Sequence, residues 1–333
     1  MNKWRKLPWH GRHWEMLESA VARDQMHHAL LLHGQAGLGK HQFGERLAAV
    51  LLCESNKPAS QRPCGECRGC RLLAAGSHPD SLQLAPEEGK VQISVEQVRR
   101  LISDNVLTSH YAGYRIIVLT PAHSLTASAA NALLKTLEEP PEKHVFVLLA
   151  ERLTGLPITL RSRCLSLLFS APDQKLASDW LARESTLQVD WPFLLKWNGG
   201  APLAALEASA QFDFNALESS LKGISDLVHG RIDPIVIADQ WRKTGLYTNL
   251  NWQHRLLGQL LRCQVPQARN DFLPPYVLEI ASKLDFAALG RIYDELLELR
   301  DAQLRNLHPN EQLALEGLAA TWQLASGHGP APH

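Results

Sequence analysis

Three short apolar runs stand out along the chain. They are Ala29-Leu30-Leu31-Leu32-His33, Arg115-Ile116-Ile117-Val118-Leu119-Thr120 and Val145-Phe146-Val147-Leu148-Leu149-Ala150. None alternates polar with apolar, so each predicts a strand buried on both faces, the condition of a parallel sheet. Between them the period changes. Phe43, Leu47, Val50 and Leu51 recur at helical spacing from about Lys40 to Leu52, and Ala127 to Leu137 predicts a second helix that stops before Pro140-Pro141. Strands alternating with helices predict an α/β domain with a parallel sheet, placed at 1–169. After Phe169 the strand-like runs cease. Pro172-Asp173 opens a helix to about Arg183, and Gly199-Gly200 breaks another before Pro202 restarts it, which predicts a small helical domain over 170–210. From Asn215 to Ala325 the pattern is helical, punctuated by Gly230, Pro234, Gly245, Pro266 and Pro274-Pro275. Leu289, Ile292, Leu296 and Leu299 form an amphipathic stripe there. The third domain, 211–333, is therefore expected to be all-α, with a fraying Gly/Pro-rich end from Gly327 to His333.

The first strand runs into Gly34-Gln35-Ala36-Gly37-Leu38-Gly39-Lys40-His41, followed by the first helix. Strand, glycine loop and helix in that order are the setting of a phosphate-binding loop, whose backbone N–H groups cradle phosphates while its lysine reaches the terminal oxygens. Gly34, Gly37, Gly39 and Lys40 are in place. His41 stands where a Ser or Thr hydroxyl would ligate Mg²⁺, and a neutral imidazole is a poor ligand for a hard cation. A working site of this class also needs carboxylates after the next core strand, for the metal and the attacking water. That strand ends in Thr120-Pro121-Ala122-His123, with no carboxylate. The loop predicts P-loop ancestry without tight use of Mg·ATP.

Cys53, Cys64, Cys67 and Cys70 follow the first helix, and the last three give two C-x₂-C spacings that share Cys67. Four thiolates can close a tetrahedral Zn²⁺ shell of the structural kind, with no open position for catalysis. Gly65 and Gly69 permit the tight turns between ligands. Redox cysteines or an iron–sulfur cluster are the competing readings. Four soft ligands without redox partner residues favour zinc. The remaining two cysteines, Cys164 and Cys263, read as ordinary buried residues.

Composition narrows the classes. In 333 residues, 34 basic and 34 acidic side chains cancel to a formal net charge of 0, so no bulk basic field holds nucleic acid. Hydrophobic residues at 45% exclude global disorder. Cysteine clustering suits a metal site in a reducing compartment rather than a disulfide framework. The start, Met1-Asn2-Lys3-Trp4-Arg5-Lys6, is no signal peptide, and no run approaches the roughly 18 apolar residues of a membrane span, so the expected location is cytoplasmic.

One more segment carries chemistry. In Pro157-Ile158-Thr159-Leu160-Arg161-Ser162-Arg163-Cys164 an arginine after a core strand reads, from the residues alone, first as the partner of a nearby carboxylate, with an arginine finger supplying charge in trans as the competing reading. The stretches Ala130-Asn131-Ala132-Leu133-Leu134-Lys135-Thr136-Leu137-Glu138-Glu139-Pro140-Pro141 and Ser162-Arg163-Cys164 nevertheless closely resemble the bacterial clamp loader subunits of DNA polymerase III, which have the AAA+ fold. The cysteine module resembles the one these subunits carry after the P-loop helix. The specific motifs reach to about residue 210; beyond it the resemblance rests on length and helical character.

Within that family the chain is more similar to the non-hydrolysing subunit than to the ATP-hydrolysing gamma/tau subunits. The latter carry Asp-Glu where Thr120 and Pro121 stand, a polar sensor near Ala150-Glu151, and a sensor arginine at Leu203. The retained Lys40 departs from the non-hydrolysing pattern and leaves nucleotide binding open. The resemblance implies an AAA+ core, a helical lid and a helical collar, in a hetero-pentamer with gamma/tau and delta subunits. It implies work on the sliding clamp and on primed DNA through the assembled complex. It makes Arg163 an arginine finger acting in trans on a neighbour's γ-phosphate. The runner-up is an active ATPase subunit using Lys40. A zinc-dependent DNA-binding module is a third class, opposed by the neutral charge and the few basic residues between Cys53 and Cys70.

Overall fold

The computed structural model describes residues 4–105, 113–187, 189–211, 214–265, 274–304 and 309–327. Pro266, and the tail beyond Gly327, lie outside the described residues. The chain forms two compact units, one of Met1–Leu187 with Gly199–Leu206 and one of Gln188–Asn198 with Glu207–His333. The 170–210 segment is thus shared between them.

The first unit is built on five strands: β1 (Ala29–His33), β2 (Ser81–Leu84), β3 (Arg115–Leu119), β4 (His144–Ala150) and β5 (Leu165–Leu168). All pair in parallel, in the order β2-β3-β4-β1-β5. The three central strands are the three apolar runs, and their residues alternate between two cores as the two-residue strand period requires. Leu30, Leu32, Ile116, Val118, Val145 and Val147 join Phe43 and Leu47 of α2 (Lys40–Leu51) and Trp14 and Leu17 of α1 (Gly11–Ala22). Ala29, Leu31, Ile117, Leu119, Phe146 and Leu148 join the opposite core. That core also takes Val98 of α4 (Val95–Asn105) and Ala129, Ala130, Leu133 and Leu137 of α5 (Ala127–Glu138). Between α2 and α4 lies α3 (Arg68–Ala74), in the cysteine module; α6 (Ile158–Arg161) and α7 (Gln174–Glu184) complete the run.

The α/β expectation stands. The edge strands β2 and β5, and helices α1, α3 and α4, were not anticipated. Each edge strand has four residues, only one of them buried, so neither leaves a continuous apolar run.

The second unit is all-helical: α8 (Trp191–Trp197), then α10 (Phe214–Val228), α11 (Pro234–Thr244), α12 (Leu246–Cys263), α13 (Pro275–Lys283), α14 (Phe286–Leu304) and α15 (Glu311–Ala325). α9 (Pro202–Gln211) contributes its first residues to the other unit. Trp197, Trp241, Trp252 and Trp322 sit in one core with the predicted stripe, of which Leu289, Ile292 and Leu296 are fully buried and Leu299 packs at the margin. α12 also buries two amides a turn apart. The Asn249 amide nitrogen donates to the carbonyls of Trp241 and Gly245, at 2.7 and 2.8 Å, and Trp322 Nε1 donates to Gln253 Oε1 at 2.7 Å. No helix among the described residues is long and apolar enough to cross a membrane.

Candidate functional site

The glycine loop joins β1 to α2, as the sequence predicts. Gly34, Gly37 and Gly39 all have positive φ (140°, 76° and 87°), and Gly39 caps α2 in the left-handed region. Lys40 is 7% exposed. Its ammonium donates to the carbonyls of Gly34 and Gln35, at 2.6 and 2.7 Å. Burial lowers its pKa from the ordinary value, and the Glu151 carboxylate opposes that shift.

Other parts of the chain pack onto this loop. The Leu203 N–H at the start of α9 donates to the Gly37 carbonyl at 3.0 Å. A methyl group at Gly37 would lie 2.5 Å from the Ala204 Cβ, and one at Gly39 2.3 Å from Leu7 Cδ1. Trp9 Nε1 and His10 Nε2 both meet the Leu38 carbonyl, at 2.9 and 2.8 Å. Trp9, His10 and Ala204 were not singled out from sequence. They lie far from the loop along the chain, and no local spacing announces them.

The strands are parallel, so the end of β3 shares the carboxyl edge of the sheet with the loop after β1. Thr120 and a cis-linked Pro121 stand there. His41 opens α2 in an exposed position, 3.8 Å from Glu45.

The four cysteines come together. Their sulfurs all lie within 4.8 Å of one another, with 4.0 Å for Cys64–Cys70 and for Cys67–Cys53. A disulfide needs about 2.05 Å, so these are free thiols converging on a common centre. Backbone N–H groups support the sulfurs in series: Cys64 N to Cys53 Sγ (3.4 Å), Cys67 N to Cys64 Sγ (3.4 Å) and Cys70 N to Cys67 Sγ (3.3 Å), the last also capping α3. The amides of Glu66 and then Cys67 bring the Cys64 thiol down to about 6. This donor set can hold a soft or borderline metal ion. Cys53 and Cys70 are buried against Trp4 and Ala49, which ties the module to α2. The other two cysteines are half-buried rather than fully buried; burial pushes Cys164 up to about 12 and Cys263 in the same direction.

Arg163 follows α6 and lies apart from these groups in sequence. Its Nη1 donates to the Thr159 carbonyl at 2.9 Å, and its Nη2 pairs with Glu138 at the end of α5. The carboxylate partner read from the residues alone is therefore present. Glu138 lies within the quoted Leu-Lys-Thr-Leu-Glu-Glu-Pro-Pro stretch, but nothing in its spacing pointed to Arg163.

The family model for "DNA polymerase III, delta subunit" matches residues 9–173, and the model for that subunit's C terminal matches residues 213–323. The DNA polymerase III subunit delta' of Pseudomonas aeruginosa is 33% identical over 328 residues, covering 97% of this chain and 98% of its own. The delta' subunit of Escherichia coli strain K12 is 32% identical, covering 94% of each chain. The tau/gamma subunit of Haemophilus influenzae is 34% identical over 178 residues, which is 53% of this chain and 25% of its own. With a relative at one-third identity matched nearly end to end and both units covered by family models, this chain belongs to the delta' subunit family of DNA polymerase III.

Proposed function

We propose that this chain is a non-hydrolysing stator of the DNA polymerase III clamp loader. On this reading it works in the cytoplasm, in a hetero-pentamer with gamma/tau and delta subunits. It reaches the sliding clamp and primer-template DNA through that assembly. Its working parts are the AAA+ core (1–169), the lid (170–210) and the collar (211–333).

The carboxyl edge of the sheet carries the proposal. Thr120 and Pro121 follow β3 where a metal acid and a water-orienting acid are required, and His41 replaces the hydroxyl ligand. A site without these groups neither holds Mg²⁺ nor positions water, and each loss is worth orders of magnitude in rate. Lys40 is engaged with loop carbonyls, and Gly37 is covered by the start of α9, so a bound nucleotide would meet a loop without the means to turn it over.

Arg163 supplies charge in trans to a neighbouring ATPase subunit. The cysteine cluster holds Zn²⁺. Zn–S bonds of about 2.3 Å set tetrahedral sulfurs about 3.8 Å apart, and the two 4.0 Å separations fit that edge. The ion would brace the module, since four protein ligands leave no position for a substrate.

The test is steady-state phosphate release by the isolated chain, with Lys40→Ala as the contamination control. No turnover is expected. Hydrolysis that disappears in Lys40→Ala would overturn the stator reading in favour of an active ATPase.

A further inference from the structure

We propose that Glu138 is a positioning residue for Arg163, fixing its guanidinium for work on a neighbouring subunit. The inference rests on the reading of Arg163 as a trans-acting finger. An exposed arginine gives up rotamer freedom when a ligand orders it. Here two acceptors on different elements hold the fork beforehand: the Thr159 carbonyl takes Nη1, and the Glu138 carboxylate takes Nη2. Each Nη carries two hydrogens, so each retains a donor for an incoming phosphate oxygen.

Stability alone does not account for Glu138. The side chains are 33% and 50% exposed, and pairs so exposed to solvent contribute little to stability. Glu138 is the last residue of α5, where the helix dipole disfavours a carboxylate, and a second acid, Glu139, follows it. The arrangement costs the helix a little and orders the arginine. Solvent screening at that exposure leaves the guanidinium charge available to a phosphate.

The experiment is clamp- and primed-DNA-stimulated ATPase of the reconstituted loader carrying full-length variants. Arg163→Ala lowers kcat on the finger reading. Glu138→Ala is expected to lower kcat roughly threefold with the KM for ATP unchanged, because orientation rather than binding is lost. Glu138→Gln keeps an acceptor oxygen and should restore most of that loss. Combining Glu138→Ala with Arg163→Ala should add nothing to Arg163→Ala alone, since one residue acts through the other.

Full activity in Glu138→Ala beside a deficient Arg163→Ala overturns the positioning role and spares the finger. Raised activity in Glu138→Ala overturns it too, making the carboxylate a brake. Full activity in Arg163→Ala overturns the finger reading and this inference together. Thermal melts of each variant report folding; a Glu138→Ala chain that melts lower yet supports normal kcat marks a purely structural pair.

Discussion

His10 shows how a single side chain acquires a pH dependence from its surroundings. Its ring is 2% exposed, lies edge-on to Phe43 and Phe169, and meets the Leu38 carbonyl through Nε2. Burial pushes its pKa from 6.5 down to about 4, the Leu38 contact opposing and nearby His13 assisting. A depressed value in the folded state means the neutral ring is favoured. Its contribution to stability is complete above pH 6.5 and is lost as the pH falls from 6.5 towards 4. The whole shift corresponds to on the order of 3 kcal/mol. His13, His28, His33, His78 and His254 are all lowered too, each mainly by burial. The melting temperature should therefore drop between about pH 7.5 and pH 5, and His10→Gln, which keeps a donor but does not titrate, should flatten that slope. A wild-type melting temperature that does not change across the interval would contradict the argument. None of this was legible in the sequence, because a histidine's burial depends on residues tens of positions away. The convergence of the cysteines was legible, because all four candidate ligands fall within Cys53–Cys70.

At the scale of elements, the contact between the glycine loop and α9 has a measurable strength. Gly37 and Gly76 have nearly the same positive φ, 76° and 70°, but a methyl group at Gly37 meets Ala204 and one at Gly76 meets nothing within 4 Å. Gly76→Ala should cost only the left-handed strain, about 1–2 kcal/mol. Gly37→Ala should cost about 1–3 kcal/mol more through overpacking. Equal losses in chemical denaturation would mean that the loop and helix are loosely apposed. The cysteine module allows a second comparison. Cys67 is both a candidate ligand and the cap of α3. Cys67→Ser should abolish bound zinc by elemental analysis and raise hydrogen exchange across residues 53–75, while the central strands stay protected by their own cores. Undiminished zinc in that variant would mean the ion sits elsewhere. Hydrophobic period identified the central strands because nearly every residue in them is buried, and helices such as α2, α5 and α14 because each buries a continuous face. It missed β2 and β5 because an edge strand need bury only part of itself.

The molecule as a whole is close to neutral, with a pI near 7.3. Binding to duplex or primed DNA draws on released counterions, and a chain with equal numbers of acids and bases offers few phosphate contacts for that exchange. Anisotropy titrations of the isolated chain with a primed oligonucleotide near physiological salt should show no saturable binding; tight, steeply salt-dependent binding would assign it a direct DNA surface. The division into an α/β part and a helical part was visible from where the apolar runs stop. The sharing of 170–210 between units was not, because α8 joins its core through Trp197, a residue indistinguishable by pattern from any other buried tryptophan. The packed glycine loop has a consequence for redesign. Leu7, Trp9, His10 and the start of α9 all rest against it. A nucleotide-hydrolysing design on this scaffold demands more than a serine at 41 and two acids at 120 and 121. The neighbours must also withdraw, and each of their retreats on its own loosens a well-packed core. Building a nucleotide site on this loop is thereby a problem of repacking as much as of chemistry.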